Sequence, residues 1–172
     1  MVGSRSKLEF KNLLNQLGEE RTTLRTGVDL EGGSEVRNYA FRWQERTIYS
    51  GQLHGEHDLP NDRTNVQWTA GYGFALSKEP DYRRARTQRS LDASDSNVPF
   101  SIQIAPTASV IDAGRYFSEL RENVVTGRVD VEQKVGSETS KVVGKLRAGV
   151  FTERKDREFS ARWMSFVKNS FT

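Results

Sequence analysis

Apolar and polar residues alternate along most of this chain, and the alternation has period two. In "NVQWTAGYGFAL" (65–76), Val66, Trp68, Ala70, Tyr72, Phe74 and Leu76 share one face, while Gln67, Thr69, Gly71, Gly73 and Ala75 share the other. Successive side chains of a strand point to opposite sides, so this run predicts a β-strand with one apolar face. "VVTGRVDVEQKV" sets Val125, Gly127, Val129 and Val131 against Thr126, Arg128, Asp130 and Glu132. "KVVGKLRAGVF" sets Val142, Gly144, Leu146, Ala148 and Val150 against Lys145, Arg147 and Gly149. "RTIYSGQLHGEHD" carries a weaker version, with Tyr49 and Leu53 opposite Ser50, Gln52 and His54. "KLEFKNLLNQL" places Leu8, Phe10 and Leu14 opposite Glu9, Lys11 and Asn15, and reads either as a strand or as a short amphipathic helix.

The connections divide by length. "PNDRTN" (60–65) and "GSETS" (136–140) are short and turn-like. Residues 18–35 and 90–115 read as long loops. Alternating long loops and tight turns predict an all-β, antiparallel up-and-down meander of about five or six long strands. All long loops then lie at one end, as in the wall of a transmembrane β-barrel. β-prone sequence runs from about Glu35 to Leu59 and from about Lys141 to Val167. Soluble strands are usually about 5–6 residues, and membrane strands need roughly 9–11 to cross. Strands that overshoot a bilayer continue as a charged rim. That accounts for the arginine cluster "EPDYRRARTQR" (79–89) directly after the apolar run, and for "FTERKDREFSAR" on the last strand. Trp43, Tyr49, Trp68, Trp163 and Phe166 are candidates for an interfacial aromatic belt.

Composition narrows the function classes. The 172 residues carry a net charge of +3 with basic and acidic residues interleaved, well short of a nucleic-acid-binding arm. There is no cysteine, which excludes disulfides and thiolate metal sites. No run of about 18 apolar residues offers a transmembrane helix. "MVGSRSKLEF" lacks an apolar stretch of signal-peptide length, so no secretion signal is expected in the chain as given.

Candidate chemistry is sparse. His54 and His57 in "HGEHD" are three apart and face opposite sides of a strand, which disfavours a metal site. Glu153 and Glu158 also fall on opposite faces, which argues against a glycosidase pair. The alternating charges of "FTERKDREFSAR" are expected to find cross-strand partners. No phosphate-binding glycine loop and no serine or cysteine nucleophile motif is present. The chain is therefore expected to be non-enzymatic, without cofactor or metal. Ligand contact is expected at the arginine rim, Tyr82, Arg83, Arg84 and Arg86, and in the long loop at Asp92, Asp95, Asn97 and Phe100.

"EFKNLLNQLGEERTTLRTG", "VRNYAFRWQERTIYSGQLHGEHDL", "WTAGYGFALSKEPDYRRAR", "AGRYFSELRENVVTG" and "KLRAGVFTERKDREFSARWMSFV" together resemble consecutive barrel segments of TonB-dependent outer-membrane receptors. The nearest branch is the β-barrel receptors with a carboxypeptidase-like regulatory domain. The resemblance implies a location in the outer membrane of a Gram-negative bacterium and a part in uptake of siderophores, glycans, vitamins or peptides. It implies contact with outer-membrane lipid and lipopolysaccharide, and with the remaining strands and plug of a parent receptor. Such receptors meet a TonB-type energy transducer through their plug region, and neither a plug nor a partner-binding motif is found in residues 1–172, which read as a single barrel segment. A closed membrane barrel needs at least about eight strands. Two alternatives stay open: a soluble β-sheet binding module, and an RNA-binding β domain resting on the arginine cluster alone.

Overall fold

The computed structural model describes residues 5–91, 97–136 and 144–168. Six strands form: β1 (Ser6–Asp29), β2 (Ser34–Asp58), β3 (Thr64–Ser90), β4 (Ser101–Ile102), β5 (Ala113–Val135) and β6 (Gly144–Ser165). Their order is β1-β2-β3-β5-β6, an antiparallel up-and-down meander, with β4 beside β3. The five main strands run 22 to 27 residues, as the long alternating stretches predict.

Two expectations for the N-terminal third resolve differently. "KLEFKNLLNQL" is strand, which settles the strand-or-helix ambiguity. Residues 18–35, expected to be a long loop, are not one: β1 continues to Asp29 and β2 starts at Ser34. Both faces of "EERTTLRTGVD" are largely polar, so the hydrophobic period is silent there, while threonine and valine still favour extended backbone. The real turn is 30–33. Asp29 Oδ1 accepts the Gly32 N–H at 3.0 Å, and Gly33 takes φ 57°, a left-handed conformation that suits glycine. At the β2–β3 turn, Asn61 Oδ1 accepts the N–H groups of Arg63 and Thr64, both at 3.0 Å, and Asp62 is left-handed at φ 55°. Among the described connections, the long one joins β3 to β5.

The chain divides into two compact units, and each main strand contributes to both. The first comprises Met1–Gln16, Thr47–Ala75 and Arg121–Glu158. Contacts fix its two faces. On one, His57 lies within hydrogen-bonding distance of Ser6 and Trp68, Tyr49 meets Tyr72, and the Tyr72 hydroxyl donates to Asn123 Oδ1 at 2.9 Å. Alternation from these anchors places Leu8, Phe10, Leu53, Val66, Phe74, Val125, Val129, Val131, Leu146 and Val150 on that face. The opposite face is mainly polar, with Leu13, Ile48 and Phe151 as exposed apolar exceptions, and it is bonded across strands: His54 with Thr69, Asp130 with Arg147, Glu132 with Lys145, and Glu122 with both Lys155 and Arg157. Of the charged end of β6, Lys155 and Arg157 meet the expected cross-strand acid, Glu122, whereas Arg154 pairs with Asp156 on its own strand.

Among the described residues, nothing covers the apolar face. Phe10 is 63% exposed, Leu146 64% and Val150 67%, and the one buried hydrophobic residue among those described is Ala113, in the other unit. Fully burying one such side chain is worth about 1.5–3 kcal/mol. Eight of the ten are exposed, and leaving them about half in water forgoes on the order of 10 kcal/mol, comparable to the whole net stability of an ordinary domain, about 5–15 kcal/mol. An apolar neighbour would recover that burial.

One contact on this face is tightly fitted. The Trp68 indole N–H donates to His57 Nε2 at 3.0 Å, so Nδ1 carries the proton of the neutral ring and donates to Ser6 Oγ at 3.0 Å. Gly55 is buried directly beneath Trp68, where an added methyl group would run into the indole ring. With the ring pinned by its hydrogen bond, Gly55→Val is expected to cost about 1–3 kcal/mol of overpacking strain, read as a lower urea midpoint. Gly27→Val, where nothing crowds an added Cβ, should leave the midpoint nearly unchanged.

Candidate functional site

The second unit comprises Leu17–Arg46, Leu76–Leu120 and Phe159–Thr172, and it holds the described rim and loop candidates. In β3 its side-chain alternation slips by one residue around Pro80. Arg42 reaches both Glu79 and the Tyr82 ring, positions three apart that a regular strand would point to opposite sides. Lys78 and Asp81, also three apart, pair with Glu119 and Arg115, four apart on β5 and therefore on one side. A proline inside a central strand cannot donate to the ladder, and a local irregularity is how sheets accommodate it.

The slip sorts the arginine cluster. Tyr82, Arg84 and Arg86 line one pocket of about 380 Å³, together with Thr23 and Arg25 of β1, Asn38 and Ala40 of β2, and Ile111 ahead of β5. Arg83 turns to the other side, where its Nε donates to Asp81 Oδ2 at 2.5 Å. Phe100 lies under two guanidinium groups, Arg37 at 4.0 Å and Arg89 at 4.8 Å from the ring centroid. Asn97 belongs to the turn that leads to β4. Asp92 and Asp95 lie outside the described residues. Of the eight expected ligand residues, the structure therefore joins Tyr82, Arg84 and Arg86 in one pocket and sends Arg83 elsewhere.

Most arginines of this unit are engaged. Arg42 forks onto Glu79 at 2.6 and 3.2 Å, and Arg89 pairs with Glu35 at 2.6 Å. Arg86 lies between Asp29 at 3.4 Å and Asp112 at 3.7 Å. Arg115 grips Asp81 with two bonds of 2.8 and 2.7 Å. Hydrogen bonding to Arg115 first, and then to Arg83, holds the Asp81 carboxyl below the usual aspartate range, against an opposing contribution from burial. A lowered folded-state value means that this stabilisation is fully present above the unfolded range near pH 4 and is lost as pH falls through the lowered value. Asp81→Asn should therefore flatten the loss of stability below about pH 4 in acid unfolding monitored by circular dichroism.

Sequence reasoning missed Thr23, Arg25 and Asn38. Arg25 and Thr23 fall in the segment expected to be loop, and Asn38 is a lone polar residue in "VRNYAF". Alternation of arginine and threonine in "RTTLRT" was the available signal for a polar strand face. Glu79 was missed as a buried acid: it is 7% exposed, hidden beside Pro80. The two histidines part as expected, His54 to Thr69 and His57 to Ser6 and Trp68. Among the described residues, no three of His, Cys, Asp and Glu converge as a metal site would require. Compared with family models and with curated proteins, the chain matches none of them.

Proposed function

We propose that the chain forms part of the wall of an outer-membrane β-barrel receptor for nutrient uptake, with the apolar face of the first unit against lipid. The observation that carries this reading is that uncovered face, set on long meander strands whose opposite face is charged and hydrogen-bonded. Transmembrane barrels need this division, apolar outward and polar inward, with every strand in a ladder. Glycine and alanine among the face residues (Ala70, Gly127, Ala148) suit lipid, which fills the gaps that a protein layer would leave empty. β1 and β6 each have one neighbour in the strand order, so further strands must close the wall. The resemblance of the sequence to TonB-dependent receptor segments gives the receptor part of the proposal. In it the chain is a non-enzymatic element whose parent takes up a siderophore, glycan or similar nutrient.

The test is fractionation of the expressed chain with and without detergent, followed by circular dichroism, with Trp68 fluorescence read in vesicles of brominated lipid. A β-rich state only in detergent or lipid, with quenched tryptophan emission, is the expected result. A β-rich, cooperatively melting species in plain buffer would overturn it in favour of a soluble β-sheet binding module.

A further inference from the structure

On the apolar face of the first unit, His57 of β2 holds a neighbouring strand on each side. Its Nε2 accepts the Trp68 indole N–H of β3 at 3.0 Å, and its Nδ1–H donates to Ser6 Oγ of β1 at 3.0 Å. One imidazole therefore clips β1 and β3 to β2, between which it lies in the strand order. All three residues are half-buried and belong to the first unit.

The two contacts answer differently to a proton. An indole N–H can only donate, so it needs a ring nitrogen with a free lone pair. An imidazole that gains its second proton is a donor at both nitrogens. Nε2–H and the Trp68 N–H would then point at each other. The rings are nearly parallel, 16° apart, with centroids separated by 6.5 Å, so the imidazole lies beyond the indole's edge. That is outside the roughly 6 Å within which a cation gains from a ring face, and the edge of the quadrupole is its positive part. The Ser6 contact survives, because Nδ1–H remains a donor and the charge strengthens it. Alternation surrounds the ring on this face with Ser6 and Leu8 of β1, Gly55 of β2, and Thr64, Val66 and Trp68 of β3, none of them charged. Glu56 and Asp58 flank His57 in sequence but turn to the other face, where Asn65 bonds both. Arg5, just ahead of Ser6, pairs with Asp62.

We propose that His57 is a proton-operated clip: neutral, it joins β1, β2 and β3; charged, it keeps β1 and releases Trp68 from its seat over Gly55. Acid thereby presents the indole, with its apolar surface and one donor, on the apolar face. Histidine is the side chain that makes such a change between about pH 5 and pH 8. The inference goes beyond the receptor reading and does not depend on what covers that face, because the conflict is between two donors of the chain itself.

The test is acrylamide quenching of Trp68 fluorescence in the full chain, in detergent or plain buffer according to which keeps it folded. Trp43→Phe with Trp163→Phe leaves Trp68 as the sole tryptophan. Quenching is expected to be weak at about pH 8 and to rise severalfold, reversibly, by about pH 5. His57→Gln offers the indole an acceptor that takes up no proton in this range, and should keep quenching low at both values. His54→Gln, on the opposite face beside Thr69, should leave the rise intact. The difference between parent and His57→Gln is also read from total emission with all three tryptophans in place, so the result does not hang on the phenylalanine variants. Circular dichroism is followed in parallel and should stay constant, since this window lies above the range in which the Asp81 contacts are lost. Equal quenching at the two pH values, an equal rise in His57→Gln, or a rise that accompanies loss of the β-sheet signal overturns the proposal.

Discussion

Arginine placed at Val129 or at Leu146 is expected to destabilise the folded sheet in a bilayer by about 2–4 kcal/mol for each position near the midplane. Both residues lie on the uncovered face, 43% and 64% exposed, on the neighbouring strands β5 and β6. In water neither would penalise a charge, because none of the described residues covers them and a guanidinium would stay hydrated. In lipid the same group must either be desolvated or drag water with it, and the cost is set by depth. Gln52→Arg supplies the control from the opposite face, where glutamine is already exposed among polar neighbours, and should change stability by less than about 0.5 kcal/mol. Urea unfolding from lipid vesicles reads all three. Equal midpoints for Val129→Arg, Leu146→Arg and Gln52→Arg would show that the face does not meet lipid. A soluble sheet would respond in the reverse sense in buffer, since removing an exposed apolar side chain there improves solubility.

The strands were legible wherever one face is apolar. Val66 to Leu76, Val125 to Val131 and Leu146 to Val150 each announce a strand because a polar face and an apolar face alternate, and the structure keeps those stretches as strands. Where both faces are polar the period carries no information, and β1 from Gly18 to Asp29 was mistaken for loop for that reason. Its strand character comes from pairing with β2, a long-range fact that local pattern does not hold. The site suffered the same loss. Arg84 and Arg86 stood out because they cluster in sequence, while Arg25 and Asn38 join them through neighbouring strands. Arg83 sits beside Arg84 in sequence and faces the other way, so clustering alone overstates how many cations one ligand can meet. The slip at Pro80 matters in the same way: without it, parity counted from Trp68 would put Tyr82 and Glu79 on opposite sides.

Arg42→Met is expected to be the most damaging single substitution in the second unit. It removes the partner of Glu79, whose side chain is 9% exposed and held by a two-pronged fork at 2.6 and 3.2 Å. Losing one member of a buried pair strands a charge away from water, which typically costs 3–5 kcal/mol. Arg42 itself is 40% exposed, so water can reach the gap it leaves, and a loss of about 3 kcal/mol is the value to expect. The Arg42 guanidinium is also made a weaker acid by this contact, chiefly through its hydrogen bond to Glu79, which is the same coupling seen from the other side. Arg42→Lys should recover only part of the loss, since an ammonium offers a point charge where the carboxylate meets a planar fork. The double substitution Arg42→Met with Glu79→Gln should recover most of it, because the penalty lies in the unpaired charge rather than in the absence of the pair. A double-mutant cycle on urea midpoints measures both. If Arg42→Met proves as stable as the parent, the carboxylate has escaped to solvent and the sheet around Pro80 is looser than these distances require. If the single loss is large and the double variant restores it, Glu79 is a buried acid that holds the slip in β3 and keeps Tyr82, Arg84 and Arg86 turned to the same side as Arg25.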